Sequence, residues 1–417
     1  MAFALQARAV FPIDRPAIEH GVVTIDGERI VAVGPKAEAG DVLDLGPVAL
    51  VPGLVNAHTH LEFSHLQRPL GRPGMPLVDW IRLVIAERGR SGHSPTESIR
   101  IGMLESIQSG VTSIADINSS VPGFLLLTGL AVFREVIGFS RARAASALCD
   151  LIERLDYADR ALRCCEDSQR DSAYIGISPH APYTVSPNLL KQLVELAQSR
   201  GLPMAMHLAE SREELELLAS GSGPFRQLLE DRGMWDAAAI PRGSRPMDYL
   251  RMLAEAPRAV VIHGNYLDDE ERTFLAENRD RMSLVFCPRT HAYFAHPRYP
   301  LAEMLAAGVR VALGTDSRAS NPDLDLLVEM RFIAKTQATI DPQAILRAGT
   351  LAGAAALGHA NMVGSITPGK MANLVALPLP AEARGDAGNL AAAILAGHDS
   401  PRDVWIRGQR LDGSSLV

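Results

Sequence analysis

Two histidines stand one residue apart at the end of a short apolar run, Val51-Pro-Gly-Leu-Val-Asn-Ala-His-Thr-His60. A run of that length opened by Pro52 and Gly53 predicts a buried strand over 51–57. Side chains at i and i+2 of a strand share a face, so His58 and His60 project together from its C-terminal end. Two neutral imidazoles on one face make half of a metal site. His-x-His alone is a weak signal, and its meaning depends on what other strands bring beside it.

A scaffold that gathers distant side chains is legible in the rhythm that follows. Short apolar runs alternate with helical stretches, the pattern of βα units on a parallel sheet. Eight strands are expected, at 51–57, 111–116, 131–136, 174–178, 203–207, 259–263, 283–287 and 309–314. Helices are expected at 94–109, 186–200, 211–220, 247–256, 268–278, 300–307, 323–338 and 341–357. The fold class is therefore α/β, a closed (β/α)8 barrel of the TIM type. Residues 1–50 instead read as short strands, with a hairpin turning at Asp26-Gly27, and a β rhythm returns after about 363. The expected organisation is a barrel over 51–362 inserted in a small β-sandwich built from 1–50 and 363–417, with the Ala/Pro/Gly-rich 378–392 as loop.

Barrel enzymes carry their chemistry at the C-terminal ends of the strands. Those ends read His58-Thr-His60, Ser178-Pro-His180, His207-Leu-Ala-Glu210, His263-Gly-Asn265 and Gly314-Thr-Asp316-Ser317. His58, His60, His207 and Asp316 supply three imidazoles and a carboxylate, a donor set that suits zinc and leaves room for water. Lys191 is the only lysine between Lys36 and Lys335, and it falls inside a predicted helix. With no lysine to bridge two ions, one divalent ion is expected. Its role would be to bring a bound water toward ionisation at neutral pH. Glu210, three residues past His207, is the candidate general acid/base; His263 would orient the hydroxide, and His180 would hydrogen-bond substrate. Softer substrate candidates are Glu62 for a hydroxyl, Trp80 as a lid or a helix-core residue, Arg134 with Glu135 at the end of strand three, and Ser317. His65, His93, His291, His296, His359 and His398 read as loop or surface residues, His291 being near enough to strand seven to touch substrate.

Composition narrows the partners. Net charge is −7, with no clustered positive charge, which argues against nucleic acid or an anionic membrane. The four cysteines, Cys149, Cys164, Cys165 and Cys287, read as reduced thiols. The N-terminal segment has no basic head before an apolar stretch, and the longest apolar run, 124–133, is too short to span a bilayer. A soluble, cytoplasmic protein acting on a small molecule is expected.

Taken in order, Pro52-Gly-Leu-Val-Asn-Ala-His-Thr-His60, His207-Leu-Ala-Glu210, His263-Gly-Asn265, Leu313-Gly-Thr-Asp-Ser-Arg-Ala-Ser-Asn321 and the tail Gly364-Ser-Ile-Thr-Pro-Gly-Lys-Met-Ala-Asn-Leu374 resemble the amidohydrolase superfamily. They look most like its mononuclear deaminases and chlorohydrolases. Asn373 departs from the Asp usual in that tail. The resemblance implies a metal-dependent barrel with a split sandwich, zinc or iron(II) on His58, His60, His207 and Asp316, and the roles given above for Glu210 and His263. Relatives of this kind commonly form homodimers. Ser178-Pro-His180 is similar to the segment that contacts purine or ribose in methylthioadenosine and S-adenosylhomocysteine deaminases. His60-Leu-Glu-Phe-Ser64 looks closer to aminofutalosine deaminases. The expected reaction is hydrolytic release of ammonia from an aminated heteroaromatic ring, with an adenine nucleoside derivative as substrate. Asp316 would help take the water's proton. Attack on a C–Cl bond or ring amide by the same hydroxide is the alternative, and a non-catalytic scaffold the remaining one.

Overall fold

The computed structural model describes residues 2–37, 40–90, 92, 94–118, 129–163, 174–383, 385–397, 401 and 403–411. Cys164, Cys165, His93, His398 and the 124–128 part of the apolar run lie outside the described residues. Eight parallel strands form one sheet in sequence order: Leu54–Thr59, Val111–Asn118, Leu130–Val136, Tyr174–Pro179, Met204–Leu208, Ala259–His263, Met282–Phe286 and Val311–Leu313. A parallel bridge between Thr59 and Asp316 joins the last strand to the first, giving the expected barrel. All eight strands read as nearly uninterrupted apolar runs because both faces are covered, one by the barrel interior and one by helices.

The predicted strand at 51–57 is divided by the structure. Val48–Pro52 joins a six-stranded sheet of Ala9–Val10, Ile18–Glu19, Leu374–Pro378, Asp403–Ile406 and Gln409–Leu411, and the chain then enters the barrel at Leu54. Gly53 sits at the switch, where a Cβ would collide with the side chain of Thr112. A second sheet, of Phe3–Gln6, Val22–Asp26, Arg29–Gly34 and Asp41–Asp44, packs on the first around Leu5, Ile25, Leu50 and Trp405. Strands from both chain ends thus build the sheets outside the barrel.

Most expected helices start where a side chain can cap them. Ser94, Ser186, Ser211, Asp268 and Asp325 each accept a hydrogen bond from a first-turn amide. Helices outside the expected list include Leu77–Arg88, Arg141–Arg163, Pro224–Asp231 and Pro288–Tyr293, the first of them carrying Trp80 as the helix-core reading of that residue required. The loop reading of 378–392 fails in part, since Ala387–Ala396 is a helix that buries Leu390, Ala391, Ile394 and Leu395 against Leu326–Thr336 and Pro342–Arg347. The 341–357 stretch is interrupted by a π-turn at Ala348–Ala352. Among the described residues no helix is long and apolar enough to cross a membrane.

Candidate metal and active site

The site is built on the seam where the barrel closes. The amides of Thr315 and Asp316 donate to His58 O at 3.1 and 3.2 Å, and Thr59 Oγ1 donates to Asp316 O at 2.7 Å. Behind them Asn56 Nδ2 donates to Thr315 Oγ1 at 2.8 Å. Gly314 permits this approach, since a Cβ there would press on the backbone of His58. The strand-one histidines and the strand-eight aspartate are thereby fixed relative to each other by backbone hydrogen bonds.

Two of the rings are oriented from behind. His60 Nδ1 donates to Ile117 O at 3.1 Å and His207 Nδ1 to His180 O at 2.9 Å, so both Nε2 atoms present lone pairs. Those two Nε2 atoms face each other at 3.3 Å. Neither ring nitrogen of the buried His58 has a hydrogen-bond partner, and its Nε2 stands 3.6 Å from Asp316 Oδ1. Burial holds the pKa of His58, His60, His180, His207 and His263 below the ordinary histidine value. Neighbouring imidazoles add to this at His58 and His60, and the Asp316 carboxylate opposes it at His263. Protons therefore do not relieve the facing lone pairs, and a cation does. Two nitrogens at 2.0–2.1 Å from one ion at a tetrahedral angle stand roughly 3.3 Å apart, which this pair already satisfies. Ligating atoms of His58, His60 and Asp316, and of His58, His207 and His263, lie within 4.8 Å of one another. The residues fit a divalent ion.

The other oxygen of Asp316 is engaged. Ser320 Oγ donates to Oδ2 at 3.0 Å and is itself 2.9 Å from Thr290 Oγ1. Glu210 is buried beside the cluster, its Oε1 3.4 Å from His263 Nε2. Burial, then the charges of Asp316 and Glu214, push its pKa well above the carboxylate range. Three site residues hold left-handed backbone without being glycine: Ala209 at φ +52°, His263 at +68° and Asp316 at +57°. Such conformations cost roughly 1–2 kcal/mol each and persist only where the surroundings enforce them.

A cavity of about 480 Å³ opens over the cluster, within the range of small-molecule sites. His60, His207, Glu210, His263 and Asp316 lie at its floor, and His180, Trp80 and Ser317 line it as well. His180 Nδ1 bonds Thr184 Oγ1 at 2.7 Å, and Trp80 Nε1 donates to Ala319 O at 3.0 Å. Two softer candidates do not line it. Glu62 is held by Arg88 at 2.5 Å and faces a small neighbouring recess. Arg134 is fully buried behind strand three, with Nη1 on Asn118 Oδ1 at 3.2 Å. Adjacent strand residues point oppositely, so its neighbour Glu135 is the one that enters the cavity. Glu135 Oε1 is buried without a hydrogen-bond partner, and Oε2 is 3.5 Å from Arg88 Nη2. Arg88, Phe225 and Leu228 line the cavity as well, residues that the sequence reading did not single out. The surface reading of His291 also fails: it is buried, with its ring on Asn265 Oδ1 at 3.0 Å and Pro297 O at 2.7 Å, and it does not line the cavity.

Imidazoles and a carboxylate converging at the C-terminal mouth of a (β/α)8 barrel form a group that could hold a metal ion. Residues 49–411 match the amidohydrolase family. The chain is 31% identical over 392 residues to the 5-methylthioadenosine/S-adenosylhomocysteine deaminase of Moorella thermoacetica, covering 88% of this chain and 83% of that protein. It is 30% identical over 409 residues to the enzyme of the same name from Nitratidesulfovibrio vulgaris, covering 90% and 84%. Among solved structures, Helicobacter pylori aminofutalosine deaminase in complex with methylthio-coformycin superposes with a TM-score of 0.83, at 22% identity, over 98% of this chain and 100% of that one. An adenosine deaminase from Xanthomonas campestris with bound zinc gives 0.76 at 26% identity, over 99% and 95%. The chain belongs to the amidohydrolase family, as the sequence resemblance implied, and is a hydrolase of carbon–nitrogen bonds.

Proposed function

We propose that this protein is a hydrolytic deaminase of an adenine nucleoside derivative, working with one divalent ion, zinc in preference to iron(II), on His58, His60, His207 and Asp316. The observation that carries the reading is the buried Glu210 carboxyl, raised in pKa and 3.4 Å from His263, on the floor of a cavity sized for a nucleoside. The names and coverage of the deaminase relatives favour the same reaction. A divalent ion, when bound, supplies the Lewis acidity that makes water nucleophilic near neutral pH.

The chain's own groups then divide the remaining work. Glu210 takes the proton of the attacking water, delivers it to the ring nitrogen as the carbon becomes tetrahedral, and protonates the departing amine. Asp316, its Oδ2 anchored by Ser320, accepts the water's second proton and returns it by way of Glu210 to the departing amine, so one water proton ends on the ring nitrogen and the other on the ammonia released. His263, its Nε2 3.4 Å from Glu210 Oε1, orients the attacking oxygen. His180, with Nδ1 occupied by Thr184, keeps Nε2 for the substrate. Glu135 and Arg88 form the polar wall for sugar hydroxyls, in place of Glu62. Aminofutalosine, methylthioadenosine and S-adenosylhomocysteine are the substrates to test first.

The test is ammonia release by metal-quantified protein across those three nucleosides, adenosine, guanine and cytosine, with Glu210→Gln beside it. Turnover of an adenine nucleoside that falls by about 10²–10⁴ in the variant at unchanged metal content supports the reading. Silence on every amine with one ion bound per chain defeats it.

A further inference from the structure

Ser211-x-x-Glu214 has the form of a helix capping box, in which the N3 carboxylate returns to the amide of the N-cap residue. The neighbouring Asp268-x-x-Glu271 box behaves that way: Glu271 Oε2 accepts from Asp268 N at 3.0 Å. Glu214 does not. Ser211 Oγ accepts from Glu214 N at 3.3 Å, so the forward half of the box is present. The carboxylate passes over Ser211 and takes two other amides, with Oε1 on Ala209 N at 2.8 Å and Oε2 on Glu210 N at 2.9 Å. Glu214 is fully buried, and a carboxylate sealed from water costs stability unless its bonds justify it. The bonds it makes serve the turn that carries Glu210 rather than the helix it caps.

That turn needs holding. Ala209 stands in left-handed backbone at φ +52°, and reverting to extended backbone would swing the next side chain away from His263. Its carbonyl side is tied to strand six, where Gly264 N bonds Leu208 O at 3.1 Å, Tyr266 N bonds Ala209 O at 3.0 Å and Asn265 Nδ2 bonds Glu210 O at 2.9 Å. Its amide side has Glu214. We propose that Glu214 is a positioning residue for Glu210, its two oxygens clamping consecutive amides so that the acid/base carboxyl is aimed at the reacting atoms. This rests on the acid/base reading of Glu210.

Glu214→Gln tests it, because an amide offers one acceptor where the turn needs two and sets its NH₂ against the second amide. We expect kcat to fall about 10–100-fold, as for loss of an orienting partner, with KM within about threefold. In a Glu210→Gln background the same change should cost nothing further, since the group being aimed is gone. A merely structural role would lower the residual rate in that background too. Glu271→Gln, which breaks a box carboxylate that also holds Met247 N rather than the amides of Ala209 and Glu210, should lower Tm and leave kcat alone. Should Glu214→Gln fail to fold, Glu214→Asp, charged but one methylene short of spanning both amides, is read the same way. Amide exchange of the 207–214 peptide is independent of turnover and should quicken in the Glu214 variant but not in Glu271→Gln. The proposal is overturned by an inactive Glu210→Gln alongside a Glu214 variant of near wild-type kcat, by losses that add in the double variant, or by unchanged exchange. If Glu210→Gln itself stays active, the acid/base reading falls, and the exchange result alone decides whether the clamp exists.

Discussion

The floor and the mouth of the cavity are built by different means. At the floor every group sits on a barrel strand or within a few residues of its end. His60 and His207 are turned by carbonyls at 3.1 and 2.9 Å, and Asp316 is tied across the barrel seam. At the mouth the walls are faces of two helices, Leu77–Arg88 and Pro224–Asp231, presenting Trp80, Val84, Phe225 and Leu228. The ion pair bridging those helices, Arg82 to Asp231 at 2.7 Å, is exposed on both sides and contributes little. The floor is over-determined by directional bonds, whereas the mouth is held by apolar contact. Chemistry that needs sub-ångström placement lies on the first, and tolerance for different substituents on the second.

The largest effect should come from breaking the floor. Asp316→Ala, or chelation of the ion, should reduce turnover by three or more orders of magnitude, measured as ammonia release beside metal content. Ser320→Ala is the finer test of over-determination. It leaves all four candidate ligands in place and frees only Asp316 Oδ2. A loss of about 10–100-fold in metal affinity or kcat is expected, by titration against a chelator and by initial rates. An unchanged Ser320→Ala enzyme would mean that the seam alone orients Asp316.

Between floor and mouth stands Glu135, a buried strand-three carboxylate with one unpartnered oxygen, beside Arg88 from the helical wall. Glu135→Gln should lower kcat/KM about 10–100-fold for a ribonucleoside, and much less for an analogue lacking the sugar hydroxyls. Equal losses on both substrates would take Glu135 out of hydroxyl recognition. Leu228→Ala, which only widens an apolar face, should shift KM a few-fold at nearly constant kcat.

The same division explains what the sequence made legible. All eight barrel strands, the five floor residues and His58 beneath them follow from local pattern, because buried parallel strands are short apolar runs and the chemistry sits where each run ends. The long helix Arg141–Arg163 carried a signal that was not read: Ala144, Leu151, Leu155 and Ala158 recur at helical spacing and are all buried. The Ala387–Ala396 helix was hidden by small residues that read as loop, although Asp386 caps it. Other features depend on directions no spacing encodes. Whether Arg134 or Glu135 enters the cavity turns on which face of strand three looks inward. That Ser320 serves Asp316, and that Glu214 passes over its own cap, are facts of side-chain reach.

The smallest expected effect concerns stability against pH in metal-stripped protein. The five floor and cavity imidazoles have pKa values below the ordinary value near 6.5, so the unfolded chain binds their protons first. Their contribution is present above that value and is lost as pH falls below it. Asp116 and Glu214, each pushed up to about 7 by burial, act in the opposite sense. A raised carboxyl stabilises the fold below its unfolded value and loses that contribution as pH rises toward 7. Within the site, five rings against Asp116, Glu214 and the likewise raised Glu210 give a net loss of stability from pH 6.5 to 5, each unpaired proton contributing about 1.4 kcal/mol per pH unit at most, and groups shifted elsewhere are common to the proteins compared. His207→Gln, by removing one ring, should flatten the slope by up to that amount, while Leu228→Ala at the mouth should lower stability without changing it. Denaturant midpoints across this window decide the matter. Equal slopes in all three proteins would mean that the floor holds no more of the pH-dependent free energy than the mouth, and the contrast between them would lose its electrostatic half.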